Sequence, residues 1–386
     1  MSKSLSRDSR RVKNLFDSSD SVAHFQTALL GWFDANKRNL PWRNVADPYR
    51  IWISEAMLQQ TQVSRVIGYY ERFLARFPSL ATLAAAEPSE VLKAWEGLGY
   101  YSRARLLHCA AQRVANEFGG ALPNDFERLR ALPGFGKYTA AAVASIAFGR
   151  PVAAIDANVT RVLARLHAQD VGDSLTNQKN VVAERAAALL HPSRAGDFNQ
   201  ALMELGAVVC APRAPKCAAC PVKIFCQAFA LGEPSRWPLK KAKRPRPTVR
   251  AACIVVMQDD ATLLVRRVDE KLLGDLWEPP GGALRDDESP EAGVRRIFRE
   301  WFDASAASVQ EIACVAHAFT HFKVRLHAFR CQPAERLAPP SAGRWATPAD
   351  IERLPLTRAA QKVLGMMRPA RPDEARKARR SSDDGR

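Results

Sequence analysis

The chain has 386 residues, more than one ordinary hydrophobic core organises, so two or three domains are expected. Hydrophobic residues make up 47%, which excludes a largely disordered polymer. The longest apolar run, AAAVASIAF, is too short to span a bilayer, and the polar opening MSKSLSRDSRRVKNLFDSSD is not a secretory signal. The net charge of +17, from 57 Lys and Arg against 40 Asp and Glu, makes a positive field suited to a polyanion, although a solvated basic surface gives the same number. A cytoplasmic, reducing location is expected, where clustered cysteines hold metal more often than they form disulfides.

In chain order, residues 1–20 read as a disordered start. From 21 to 231 apolar residues recur three and four apart, in VAHFQTALLGWF, SEVLKAWEGLG, RARLLHCAAQRVANEF and NVTRVLARLHA, which predicts an all-α domain punctuated by DPYR, EPSE and LPGFG. Residues 232–249 are rich in proline and basic side chains and read as a linker. Beyond them the period turns extended. AACIVVM, TLLVRR, IACVAHAF and VRLHAFRC are strand candidates and SPEAGVRRIFREWF a helix, so 250–367 reads as α+β. The tail, 368–386, reads as disordered. No internal repeat is present.

Three features of the helical part carry chemistry. In YRIWISEAMLQQTQV, a helix would put Glu55 among Ile51, Trp52, Leu58 and Gln59. Such desolvation raises a carboxyl pKa, as a general acid near neutral pH requires, although an amphipathic helix edge explains the same pattern. LPGFGKYTA places Gly134 and Gly136 before a helical run, a turn whose amides can approach an anion or simply join two helices. Twenty residues past Gly136, Asp156 opens another helical run in PVAAIDANVTRVLARL. It reads as an N-cap, a position that favours the carboxylate anion and is compatible with steadying a developing cation. Two carboxyls tuned apart suit cleavage of a glycosidic bond through an oxocarbenium-like transition state.

The fourth feature is the run of Cys210, Cys217, Cys220 and Cys226, separated by six, two and five residues. Structural zinc favours two short-spaced pairs, and only Cys217 and Cys220 form one; a [4Fe-4S] cluster suits the loop better, with zinc left open. Cys109, Cys253, Cys314 and Cys331 sit in apolar contexts and are expected to be buried small hydrophobes.

C-x6-C-x2-C-x5-C after a helical domain resembles the iron–sulfur loop of the endonuclease III superfamily, and LPGFGKYTA its helix-hairpin-helix. With LPWR, SEAMLQQTQV, GLGYYSRAR, IDANVTRVLAR and FNQALMELG, the chain resembles the MutY-type adenine DNA glycosylases from about residue 22 onward. The resemblance implies a multi-domain protein: an all-α helix-hairpin-helix glycosylase domain with a [4Fe-4S] loop, then a smaller α+β domain. It implies hydrolysis of adenine from duplex DNA mispaired with 8-oxoguanine or guanine, by a monomer, with one [4Fe-4S] cluster and no catalytic metal ion. Glu55 would protonate adenine and Asp156 would stabilise the sugar cation, with Tyr138 and Asn158 in support. Lyases of the superfamily carry a Schiff-base lysine where this chain has Tyr138; a phenol forms no imine, so no strand cleavage is expected. Leu40, Trp42, Arg43, Val63 and Gln200 would line the adenine pocket, Gln200 standing where many relatives have glutamate. Gln60, Thr61 and Tyr100 would contact DNA at the lesion, and Gly134 and Gly136 would hold a phosphate. Ala157 replaces the family's common glycine.

GGALRDDESPEAGVRRIFREWF resembles a Nudix box that keeps Gly282 and Glu288, but where the box has Arg-Glu-x-x-Glu-Glu this chain has Arg296, Ile297, Phe298, Arg299, Glu300 and Trp301. One carboxylate cannot replace the set that holds a hard ion, which argues against pyrophosphohydrolase activity. Such a degenerate domain is the MutY companion that reads 8-oxoguanine, with Phe319, Thr320 and His321 as its recognition loop.

Overall fold

The computed structural model describes residues 16, 18–168, 175–238, 245–268, 273–319 and 321–367, with 175–179 described by backbone alone. Thr320 and the tail beyond 367 lie outside the described residues. Residues group into two compact units, 1–85 with 106–242, and 86–105 with 243–386.

The first unit is helical. Its helices are α1 (Ser19–Asn36), α2 (Pro48–Leu58), α3 (Val63–Arg76) and α4 (Leu80–Ala85), then most of α6 (Ser102–Glu117), α7 (Phe126–Arg130), α8 (Lys137–Phe148), α9 (Ala157–His167), α10 (Leu175–Leu189), α11 (Ala195–Val208) and the short α12 (Gln227–Ala230). α5 (Pro88–Ala94) falls in the second unit. Local signals start the helices that matter most. Asp47 accepts a hydrogen bond from Tyr49 N at 2.9 Å, with Pro48 in the first turn of α2. Gly136 opens α8, and Gly149, in the left-handed region at φ 65°, ends it. α1, α9 and α11 share a core of Phe25, Leu29, Phe33, Val162, Leu163, Phe198 and Leu202, against which Cys210, Cys220 and Cys226 also pack. α11 crosses α8 closely at Gly196, where an added Cβ would sit 2.6 Å from the Ser145 carbonyl oxygen, so the crossing needs glycine.

The second unit holds two sheets. One has the order β5-β1-β7-β6, from β1 (Thr248–Val255), β5 (Gly281–Ala283), β6 (Ala306–Ala318) and β7 (Lys323–Pro333). The other joins β2 (Met257–Gln258), β3 (Ala261–Arg266) and β4 (Trp277–Glu278), with β8 (Gly343–Ala346) paired to β3. α13 (Pro290–Phe302) buries Val294, Ile297 and Phe298 in a core with Ile254 and Phe329. α14 (Pro348–Arg353) and α15 (Arg358–Met367) follow. Two of the four scattered cysteines depart from expectation. Cys253 and Cys331 are buried, whereas Cys109 and Cys314 are exposed. Cys109 lies on the outer face of α6, and Cys314 on β6, at the edge of its sheet.

Candidate active site

Glu55 is 5% exposed. It occupies a stretch of α2 in which every side chain from Ile51 to Met57 is buried, so its carboxyl is stripped of water. Burial pushes its pKa up to about 7, and the nearby Asp156 charge pushes the same way; the Tyr138 hydrogen bond and the Arg43 charge oppose them. The partly buried Tyr138, on the first turn of α8, donates its hydroxyl to Glu55 Oε2 at 2.6 Å. Burial and the two carboxylates lift the phenol pKa well above its ordinary value, so it stays a donor. Gln59 Nε2 donates to Thr139 Oγ1 at 2.9 Å, fastening the end of α2 to the start of α8.

Asp156 caps α9. Its Oδ1 accepts from Val159 N at 2.7 Å and its Oδ2 from Asn158 Nδ2 at 2.8 Å. Burial lifts its pKa above the ordinary value, and these donors and the Arg161 charge oppose that rise by favouring the anion. Asn158 is held in turn: Arg161 Nη2 donates to its Oδ1 at 2.8 Å. A Cβ on Gly206 of α11 would stand 2.6 Å from Asn158 Cβ, so only glycine lets the two helices meet there. Ala157 begins regular helix and is not among the residues with positive φ, so alanine needs no glycine backbone here.

Leu40 and Trp42 are buried, and Trp42 meets Tyr70 edge to face at 5.4 Å. Val63 and Gln200 are half-buried. Arg43 reveals a partner that sequence reasoning missed. Its Nη2 donates to Glu204 Oε2 at 2.8 Å, and Arg38 grips both oxygens of the same carboxylate at 2.6 and 2.9 Å. Glu204 is one turn beyond Gln200 on α11 and is almost fully buried. The two guanidiniums hold its pKa below the ordinary value against burial. Arg43 Nη1 is buried without a hydrogen-bond acceptor, a donor available to a polar ligand.

Gln60 and Tyr100 have left-handed backbones, at φ 55° and 50°. Non-glycine residues pay about 1 kcal/mol or more for this conformation, which concentrates at functional turns. Tyr100, in the second unit, is an exposed aromatic, and Thr61 is partly buried. Gly134 is held at φ 76°, where an added Cβ would stand 2.9 Å from Leu106 Cβ. Around Gly136 there is open space for a Cβ, and it caps α8 without a side-chain acceptor. Lys137 is exposed.

Cys210, Cys217, Cys220 and Cys226 line one pocket with Arg165, Val209 and Lys223. Burial pushes the Cys220 thiol up to about 12 and raises Cys217 and Cys226, with neighbouring sulfurs adding repulsion. Four thiolates at one place therefore require a cation or cationic cluster to coexist. Two buried arginines tie α9 to this loop. Arg161 Nε donates to the Cys210 carbonyl at 2.9 Å, and Arg165 Nη1 to the Cys210 carbonyl at 3.1 Å and its sulfur at 3.2 Å.

Residues 53–185 match the HhH-GPD superfamily of base excision DNA repair proteins and residues 251–366 the NUDIX domain. The adenine DNA glycosylase of Mus musculus is 36% identical, over 95% of this chain and 82% of the mouse protein. That of Homo sapiens is 34% identical, over 95% and 78%. The structure of a thermostable thymine-DNA glycosylase is similar with a TM-score of 0.51 and 33% identity, covering 54% of this chain and 97% of that one. The chain belongs to the adenine DNA glycosylase family. It is a DNA glycosylase of base excision repair.

In the NUDIX unit of this glycosylase, Glu288 is engaged by an arginine. Arg296 Nε and Nη2 donate to its two oxygens at 2.8 and 2.7 Å, while Nη1 reaches Glu300 at 2.9 Å. The guanidinium holds Glu288 down to about 2. Ile297 and Phe298 point into the core, and Arg296 pairs with both Glu288 and Glu300. At the β6–β7 turn, Phe319 stacks on Phe322 at 4.7 Å and meets His317 edge to face at 4.6 Å, with His321 exposed.

Proposed function

We propose that the chain hydrolyses the N-glycosidic bond of adenine in duplex DNA where adenine is mispaired with 8-oxoguanine or guanine, without cleaving the strand. The observation that carries this reading is the pairing of two nearby carboxyls in unlike surroundings. Glu55 is desolvated until it keeps a proton near pH 7, and Asp156 is wrapped in donors that favour its anion. In the proposed reaction the extruded adenine takes a proton from Glu55 as its bond to the sugar lengthens. Tyr138 occupies Oε2, leaving Oε1 to deliver that proton. Asp156 faces the positive charge left on the sugar, which water then captures. Arg43, with its buried free donor, and Trp42 orient the base. With no amine in place of the Tyr138 phenol, no imine forms and the product is an abasic site.

The reading extends to the cysteine pocket. The grouping close enough to share a single ion lies elsewhere among the described residues, at Glu311, Cys314 and His327, and the four cysteines are more widely spread. Thiolates around one zinc at about 2.3 Å would be only about 3.8 Å apart, so the donor set fits a [4Fe-4S] cluster better. That group would supply a rigid cross-link between residues 210 and 226, and no step of the hydrolysis involves it. Gly134 and Gly136 would bring the first amides of α8 against a DNA phosphate, Gln60, Thr61 and Tyr100 would occupy the space the base leaves, and Phe319 and His321 would read the opposite base. A cytoplasmic, nucleoid-associated monomer fits the charge and the single copy of each part.

The test is incubation with duplexes carrying adenine opposite 8-oxoguanine, guanine or thymine, with and without alkali. Alkali-dependent nicking of the adenine strand opposite the first two is expected. Nicking without alkali, or release of a pyrimidine, overturns the reading.

A further inference from the structure

The second unit carries another cluster of metal-ligating side chains, on the stem of the β6–β7 hairpin. Cys314 lies directly opposite His327 in the antiparallel ladder, so both project from one face. Glu311, three residues before Cys314, would point the other way in a regular strand. The ladder slips between Glu311 and Ala313, where Ile312 is the extra residue, and this bulge returns Glu311 to the face of Cys314 and His327. The donor atoms of all three lie within 4.8 Å of one another. His327 Nδ1 and Glu311 Oε1 are 2.7 Å apart, and the ring is only 9% exposed, which fixes its orientation. Imidazole, thiol and carboxylate are together the ligand set of a borderline-soft divalent ion. Arg325 is exposed two residues from His327, and the neighbouring Cys314 and Glu311 favour its positive charge. It stands where a cation is favoured and can swing into water when one arrives.

We propose that Glu311, Cys314 and His327 form a binding site for one zinc-class divalent ion, with a water as fourth ligand. Binding expels the thiol proton, and the proton between His327 Nδ1 and Glu311 leaves Nδ1 for Nε2 or for water as the two atoms separate to about 3.3 Å around a tetrahedral ion. The ion would pin β6 to β7 four ladder pairs below the Ala318–Lys323 pair that closes the turn. It would thereby stiffen the turn bearing Phe319 and His321; this consequence alone rests on the function proposed above.

The experiment uses full-length protein equilibrated with zinc chloride, freed of unbound metal, and assayed for zinc and iron per chain. Cobalt chloride serves in parallel as a spectroscopic probe. Wild type and Cys109→Ala, which removes the other exposed cysteine, should hold one zinc-class ion more than Cys314→Ala and His327→Gln, with iron equal in all. Zinc affinity should fall at least tenfold in both variants, and thiolate-to-cobalt absorption should vanish with Cys314. Should His327→Gln fail to fold, Cys314→Ala at its exposed position decides alone. Equal zinc in wild type and Cys314→Ala, or cobalt without thiolate absorption, overturns the proposal, whatever the protein does to adenine.

Discussion

Replacing Glu55 with glutamine perturbs the centre of the proposed chemistry in a way that stability and activity report with opposite signs. The carboxyl moves from an ordinary value of 4.5 to about 7 on folding. At 1.36 kcal/mol per pKa unit this is a differential of about 3 kcal/mol between its protonated and ionised forms. The folded state binds the proton more tightly than the unfolded chain. The stability this contributes is therefore full below about pH 4.5 and is lost as pH rises through about 7. Glutamine is isosteric, uncharged, and keeps an oxygen to accept from Tyr138. Urea midpoints should place Glu55→Gln above wild type by about 2–3 kcal/mol at pH 8, the gap closing toward pH 5. Single-turnover base release should fall by about 10²–10⁴, the usual contribution of a general acid. In wild type the rate should drop about tenfold for each pH unit above 7. A stability difference independent of pH, or a variant that releases adenine at the wild-type rate, refutes the assignment of a protonated, desolvated acid at this position.

Four further substitutions probe the surroundings. Tyr138→Phe removes a hydrogen bond that lowers the Glu55 pKa, so the falling limb of the pH–rate profile should move to higher pH; a limb that stays or moves down contradicts the role given to the phenol. Glu204→Gln leaves two guanidiniums sharing a neutral amide in a buried site, and denaturant unfolding should show a loss of about 3 kcal/mol or more. A near-wild-type midpoint would mean the cluster is solvated. Gly134→Ala meets both a left-handed backbone and Leu106 and should cost at least about 1 kcal/mol of stability. Gly136→Ala enters open space and should leave the fold nearly unchanged while weakening duplex affinity, measured by titration of labelled DNA; unchanged affinity would remove the hairpin amides from the DNA contact.

Residues that announce themselves locally were legible in the sequence, and those made by long-range contact were not. The cap at Asp156, the helix carrying Glu55 and the glycine that opens α8 depend on neighbours within one turn, and the periodicity exposes them. β4, β5 and β8 are two to four residues long, too short for alternation to register. Cys314 read as buried because its neighbours are apolar, but β6 is a sheet edge and its bulge changes which side chains share a face. Glu204 stayed invisible for another reason: its partners Arg38 and Arg43 are 166 and 161 residues away, and nothing in FNQALMELG marks the glutamate as charged and buried.

The same distinction governs the chemistry. A motif names two carboxyls, but what sets them apart is the company folding brings. For Glu55 that company is a wholly buried helical stretch and one hydroxyl; for Asp156 it is its own helix amide and the Asn158 amide, the latter held by Arg161. Arg161 also reaches the Cys210 carbonyl and the Gly206 carbonyl. The orientation of the amide beside Asp156 is therefore shared with the cysteine loop, 54 residues further along the chain. Loosening that loop would remove an acceptor from Arg161, so under the proposed function the cysteines would reach the site through the position of Asn158.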